Sequence, residues 1–376
     1  MLRFADFHIH SKFSMATSRD MEPPALLRGC LRKGIGILGT GDALHPEWRR
    51  LWEPYLENDS GIIVIPTGEV EDAARVHHLF LFEDFAACEE LGRRLRDAAG
   101  TSLVSNGRPH IPLGGERIAR EVHDLGGMIG PAHAFTPWTS LYKSYDRVAD
   151  CYGEEKIDFL ELGLSADSSY GAGIPDLYGV PFLSNSDAHS PDSTKIGREF
   201  NRLEIAAPTV RAVLDSVRQG RIVMNAGFFP EEGKYNRTAC SRCYTQYSPE
   251  ESARYRNKCP KDGGRIKKGV ADRARELSTG EIRDRPPYRH IIPLSEIIRT
   301  VEGVSSAGTK RCRMLYEDLL DRFGTEIAVL LTAPAGEIAE LHPRVGQAIA
   351  NLREGRVVLH PGGGGKYGTF DLVLSS

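Results

Sequence analysis

Asp6-Phe7-His8-Ile9-His10 and Asn185-Ser186-Asp187-Ala188-His189 lie far apart in the chain, yet they read as two rims of one metal site. Each ends an apolar, strand-like run, Leu2 to Phe7 in the first case and Val180 to Leu183 in the second. Successive side chains of a strand point to opposite faces, so His8 with His10, and Asp187 with His189, each present two donors to the same side.

The same arrangement recurs between these rims. Gly36 to Gly41 delivers Asp42, Ile62 to Gly68 delivers Glu69, Gly127 to Ala132 delivers His133, and the run Val76 to Phe82 adds a further histidine. Ligands that sit repeatedly where a β-run stops point to the C-terminal face of a barrel of parallel strands, the face where such folds place their chemistry. Glu83 to Ala99 and Gly115 to Leu125 read as crossover helices. Any one of these residues alone is ordinary; eight imidazole and acidic groups at strand ends are not. Mixed His and carboxylate ligation suits Zn or Mn better than Mg. Two or three such ions could polarise a phosphoryl oxygen and lower the pKa of a bound water toward about 7.

The ordered motif set resembles the polymerase and histidinol phosphatase (PHP) superfamily of metal-dependent phosphoesterases. D-F-H-I-H matches its first motif, Glu69 its glutamate, His78-Leu79 its H-L motif, Pro131-Ala132-His133 its P-x-H motif, and Ser186-Asp187-Ala188-His189 its S-D-A-H motif. The resemblance implies a PHP-type distorted (β/α)7 barrel over about residues 1–230, within an α/β fold class. It implies one ion on His8, His10, Glu69 and Asp187, a second on Glu69, His78 and His133, and a third on Asp42 and His189. His8, His10, Glu69 and Asp187 would be catalytic, with Asp187 also orienting the attacking hydroxide. Asp42 stands where many relatives have histidine, and Ala16 where some have another.

Cys240-x-x-Cys243, followed by Cys259-Pro-Lys-Asp262-Gly-Gly, reads as a small zinc-ribbon module over residues 231–285, with aspartate in the fourth ligand position. Structural zinc prefers Cys and His, so the alternative is a knuckle held by packing alone. Between Arg237 and Arg313, 18 Lys and Arg face 9 Asp and Glu, a local +9 in a chain of net −3. A basic module beside an acidic metal domain suits a polyanion. Lys267, Lys268, Arg265, Arg273, Arg275, Lys310 and Lys366 are the expected phosphate contacts, with Tyr244, Tyr247 and Tyr255 available to stack.

A mostly helical C-terminal domain is expected over residues 286–376. Its tail, His360-Pro-Gly-Gly-Gly-Gly-Lys366-Tyr367, fails the phosphate-loop pattern G-x-x-x-x-G-K-[ST] at both ends. The glycines read either as a turn approaching a nucleic-acid strand or as a tight structural turn.

The ribbon followed by G-G-R-I-K-K-G-V, the I-I-P-L-S-E-I-I segment and the G-G-G-G-K-Y-G tail, joined to the PHP motifs, resemble the endonuclease Q family over essentially the full chain. That resemblance implies incision of DNA on the 5′ side of uracil, hypoxanthine, xanthine or an abasic site, with the damaged nucleotide out of the stack. A sliding clamp is a candidate recruiter, although no clamp-binding tail follows Tyr367. The rival readings are a small-molecule phosphatase of the histidinol-phosphate kind, which has no use for a basic ribbon, and a binding module with a vestigial site.

Composition adds 40% apolar and 26% charged residues, and no apolar run of membrane-spanning length, the longest candidate being Ile327 to Ala335. The N-terminus runs straight into the first strand without a signal peptide, and Cys30, Cys88, Cys151 and Cys312 are scattered. A cytoplasmic, nucleoid-associated, monomeric protein is expected.

Overall fold

The computed structural model describes residues 1–100 and 106–374. Three short strands, β1 (Leu2–Asp6), buried at its end, and the buried, apolar β2 (Ile37–Gly39) and β3 (Ile63–Ile65), pair in parallel. Helix Pro23–Lys33 lies between the first two, and helix Pro46–Trp52 between the second two. The chain then turns at Pro66 into β4 (Thr67–Glu71), β5 (His77–Leu81) and β6 (Met128–Pro131), a three-stranded antiparallel sheet.

The expected barrel of parallel strands is therefore broken at β5. The cause is the connection from β4, five residues long, which cannot hold the crossover that parallel pairing needs. Asp72 builds that turn by accepting hydrogen bonds from Ala74 N and Val76 N, both at 2.8 Å, with Arg75 at φ 67°.

The two-residue strands β7 (Leu160–Glu161) and β8 (Phe182–Leu183) pair in parallel. Hydrogen bonds from Asp158 N to Ile129 O and from Ala134 N to Glu161 O lay β7 beside β6. Beyond Phe7 the chain leaves the ladder of β1 and bridges Ala188 in parallel, His10 N donating to Ala188 O at 2.9 Å. That contact closes the ring into a distorted α/β barrel. Outside it, β9 (Phe200–Glu204) and β10 (Ile222–Gly227) extend the sheet antiparallel from the free edge of β1.

The finger hangs on two short strands, β11 (Ala239–Cys240) and β12 (Ile266–Lys267), and helix Val270–Leu277 returns Val270 and Ala274 to the barrel's helical layer. Strand β13 (Tyr288–His290) then joins β10 in parallel, so the chain re-enters the barrel sheet before its last unit. Five helices between Leu294 and Arg353 follow, and their buried faces form one apolar cluster, edged by the hairpin β14 (Val357–His360) and β15 (Thr369–Leu372). Among the described residues no helix is long and apolar enough to cross a membrane.

The C-terminal helices dock on the barrel through a buried ion pair, Lys33 Nζ to Glu326 Oε1 at 2.8 Å. Glu326 also accepts from Leu294 N at 3.0 Å and from the Tyr316 hydroxyl at 2.7 Å. Removing one partner strands a buried charge. Lys33→Met should therefore cost about 3–5 kcal/mol in urea unfolding; an unchanged midpoint would mean that docking does not depend on the pair.

Candidate metal centre

The site forms where the strand ends meet. His8, His10 and Glu69 offer buried ligand atoms to one another, and so do Glu69, His77 and His133; His10, Asp187 and His189 form a third, half-open group. Glu69 belongs to the first two groups and His10 to the first and third, so the three interlock.

Each imidazole is aimed by a second polar group. His8 Nδ1 meets Glu161 at 2.9 Å, His10 Nδ1 meets Asp42 Oδ1 at 3.0 Å, and His77 Nε2 meets Glu71 Oε2 at 3.0 Å. That leaves His8 Nε2, His10 Nε2 and Asp187 Oδ1 converging, buried and without a hydrogen-bond partner. His10 Nε2 lies 3.1 Å from Asp187 Oδ1, and His8 Nε2 lies 3.7 Å from Glu69 Oε1. Buried polar atoms left unpaired are costly, and imidazoles oriented by carboxylates are the usual surroundings of a metal. The residues present fit divalent cations.

The electrostatics agree. Burial alone would discharge the imidazoles, yet Glu161, Glu69 and Asp187 hold the pKa of His8 up at about 9, and Asp42, Asp187 and Glu69 raise that of His10. Burial opposes ionisation of Glu69 too, but His77, His133 and His8 keep its carboxyl well below the usual range. The pocket calls for positive charge. His189, pushed down by burial, keeps a free lone pair at neutral pH.

Three site residues, Asp42, His133 and Asp187, have positive φ (48°, 32° and 46°), a strained conformation held by the packing around it. Gly41, at φ +64°, makes room for this: a Cβ there would strike the Ile9 carbonyl, so glycine lets the Asp42 loop lie against the His10 rim.

Two expected ligands are placed elsewhere. His78 is on the opposite face of β5, with Phe80 and Phe82 in the helical layer; its Nδ1 meets the Tyr152 hydroxyl at 2.6 Å and its Nε2 lies 3.2 Å from Asp72. Strand alternation gives the inward place to His77, whose Nδ1 lies 2.8 Å from Glu69 Oε1. Asp42 stands behind His10, also accepting from Ser11 N and Ser14 Oγ at 2.7 Å each, so it orients a ligand and is in none of the three groups. His45, weighed as a substitute, accepts from Trp48 N at the start of its helix.

The sequence reading also missed Glu161, Glu71 and Arg108. Glu161 serves His8, the His133 backbone N–H and Asn185 together, and Arg108 Nη1 reaches Glu69 Oε2 at 3.1 Å from the cleft wall.

In the finger, Cys240, Cys243, Cys259 and Asp262 come together. Cys243 Sγ lies 3.7 Å from Cys259 Sγ, and Cys240 Sγ lies 3.3 Å from Asp262 Oδ1. Two thiolates at tetrahedral zinc would lie about 3.8 Å apart. Tyr247 and Tyr255 are committed to packing here, with the Tyr247 hydroxyl 3.0 Å from Cys259 Sγ. Arg273 fastens its helix to the barrel through the Tyr142 and Tyr145 carbonyls, Lys268 pairs with Glu276 at 2.7 Å, and Lys310 and Lys366 are exposed.

The glycine-rich tail is a structural turn. Gly362 N donates to Glu231 O and Gly365 N to Lys234 O, and a Cβ on Gly364 would collide with the Cys240 carbonyl. Its backbone packs against the finger.

This chain resembles known proteins over nearly its full length. It is 32% identical to YqxK of Bacillus subtilis over 97% of its own length and 98% of that protein's. The crystal structure of the lesion-specific endonuclease PfuEndoQ from Pyrococcus furiosus superposes with TM-score 0.94 at 43% identity, over 99% of this chain and 96% of that one. The chain belongs to the endonuclease Q family. A second endonuclease Q structure, in complex with a 27-mer duplex substrate with an abasic lesion at the active site, matches with TM-score 0.92 at 43% identity, over 99% and 97% of the two chains. MJ0043 of Methanocaldococcus jannaschii is 45% identical over 63% of this chain, which spans 31% of the length of that protein. The family model of the MJ0043 C-terminal domain matches residues 293–356, the helical cluster of this endonuclease Q relative.

The two faces of β5 make separable demands. Elemental analysis after dialysis should show reduced bound metal in His77→Ala and unchanged metal in His78→Asn, whose cost should fall on thermal stability instead. The reverse outcome would return the ligand role to His78.

Proposed function

We propose that this protein is a DNA-repair endonuclease that hydrolyses the phosphodiester 5′ to a deaminated base or abasic site, leaving a 3′-hydroxyl and a 5′-phosphate. What carries the reading is the interlocked ligand cluster around Glu69 at the barrel mouth, in a chain of nearly full-length likeness to a lesion-specific endonuclease. The duplex with an abasic lesion at the active site of the second relative supports DNA as the substrate.

His8, His10, Glu69 and Asp187 would hold one ion and Glu69, His77 and His133 a second, with Zn or Mn favoured over Mg by the imidazoles. Divalent ions bound there would supply polarisation of a phosphoryl oxygen, an acidified water and stabilisation of the leaving oxygen. The chain's own groups do the rest. Glu161, Asp42 and Glu71 lock the imidazole orientations, so no reorganisation is needed during reaction. Arg108 faces the same cleft as Asp187 and His189 and offers a guanidinium to the phosphate. Lys267 of the finger, Lys310 at the start of a C-terminal helix and Lys366 of the tail supply attraction to the backbone without sequence information, with Lys268 beside them held by Glu276.

The deciding assay is incision of labelled duplexes carrying uracil, hypoxanthine, an abasic site or no lesion, with Mg, Mn or Zn. Asp187→Ala should lower incision by about 10³-fold or more while leaving DNA affinity nearly intact, because its carboxylate serves the ions and the water rather than the phosphate track. Near-normal incision by that variant would remove Asp187 from the centre.

Asp262 completes a Cys3Asp zinc site in the finger. Asp262→Cys should keep or raise zinc content and melting temperature, since thiolate is the preferred donor, and Cys243→Ser should lose the finger's zinc with the barrel still folded. Zinc content indifferent to both changes would leave the finger held by packing.

A further inference from the structure

Three exposed or half-exposed rings and two lysines form a continuous patch that begins at the metal cleft, with Trp138 and Tyr235 packed edge-to-face, ring centres 5.9 Å apart. Trp138, 53% exposed, lines that cleft together with His133 and Asp187, and also lines a neighbouring open cleft of about 530 Å³ between barrel and finger. Lys267 Nζ lies 5.0 Å from the Trp138 ring centre and 5.2 Å from that of Tyr235. Lys234 Nζ lies 5.6 Å from Tyr235 and 5.6 Å from Tyr367, which is 68% exposed on the C-terminal hairpin loop. The ladder thus crosses all three parts of the molecule.

Its composition is unusual for a solvated face. Lys268 is neutralised by Glu276, whereas among the described residues no carboxylate pairs with Lys234 or Lys267. Large rings left in water beside unneutralised charge mark a surface that something covers. Duplex DNA keeps its base faces stacked inward and offers a protein only phosphates, sugars and groove edges. An unpaired strand offers base faces to the rings and phosphates to the ammonium groups at once.

We propose that the ladder Trp138, Lys267, Tyr235, Lys234 and Tyr367 is a track for unpaired DNA, holding the strand where it leaves the metal cleft. The edge-to-face pair Trp138 and Tyr235 takes one base beyond the reacting nucleotide, and Tyr367 takes a further base toward the C-terminal hairpin. The inference rests on the endonuclease reading for the identity of the strand, but not for its chemistry: rings and lysines bind any unpaired strand, damaged or not. The track also explains why Tyr367, which no core contact requires, sits exposed at the tip of a backbone-anchored turn.

The test is fluorescence anisotropy with the full chain, without added divalent metal. The probes are a labelled, lesion-free oligothymidylate about fifteen nucleotides long and a duplex of equal length at matched salt. Tyr367→Ala and Tyr235→Ala should each weaken strand binding about tenfold, Tyr367→Phe should keep it, and duplex binding should stay unchanged. Tyr367 is exposed enough for its truncation to leave the fold intact, so the result does not hinge on the more buried Tyr235. Unchanged strand affinity in the doubly substituted protein, or equal losses on strand and duplex, would overturn the track. Incision of lesion duplex by the wild-type chain, measured in parallel, judges the endonuclease reading separately, since the binding assay needs neither lesion nor metal.

Discussion

A carboxylate 2% exposed survives as an anion only if positive charge surrounds it, and Glu69 is the anion on which this molecule turns. His77 Nδ1 and His133 Nε2 lie at 2.8 and 3.0 Å from one oxygen; Arg108 and His10 lie at 3.1 and 3.5 Å from the other. Those partners come from β5, the end of β6, the loop before the helix at Gly115, and the rim beyond β1. Four separate elements are therefore held in position by one side chain.

Around that carboxylate stands a second layer of acids that hold the imidazoles. Glu161 is the clearest, since one carboxylate aims His8, accepts from the His133 backbone N–H and holds Asn185, whose Oδ1 in turn receives the Phe7 backbone N–H. The two rims, some 180 residues apart in sequence, are thus joined through Glu161 and Asn185 as well as through the Ile9 and Ala188 bridge. Such a layer fixes which imidazole nitrogen is free, and cations can settle there without rearranging the protein.

Much of this was legible in the chain because the ligands cluster just past strand ends. His8 with His10 and Asp187 with His189 reach one site, although both pairs lie beyond their strands and Asp187, at φ 46°, is not extended, and the cysteine spacing brings Cys240, Cys243, Cys259 and Asp262 together. The choice between His77 and His78 was not legible. Val76 to Phe82 is apolar at almost every other position and buried on both faces, one against the barrel interior and one against helices, so alternation fixes a period without fixing its phase. Asp42 misled for a different reason: its strand end is correct, but a positive φ and the Ser11 and Ser14 donors hold its carboxylate behind His10. Glu161 carried a readable signal, an acid inside the apolar run Phe159 to Leu162, where a charge is tolerated only with partners. The glycine tail carried none, because its purpose is set by the Cys240 carbonyl that it must clear.

The finger and the catalytic end are also linked mechanically. Strand β12 is two residues long and its partner β11 ends in Cys240, so the register that brings the knuckle together also sets where Lys267 projects. On the other side, the Thr136 hydroxyl meets His133 Nδ1 at 3.4 Å and donates to the Trp138 carbonyl at 2.8 Å, which ties the ring facing Lys267 to an imidazole of the metal centre. A shift in either cluster therefore moves one side of the Trp138 and Lys267 contact. Short elements transmit such displacements because they have no length over which to absorb them. The Trp138 and Lys267 contact thus lies between the two candidate ligand clusters, tied to one through Thr136 and to the other through β12.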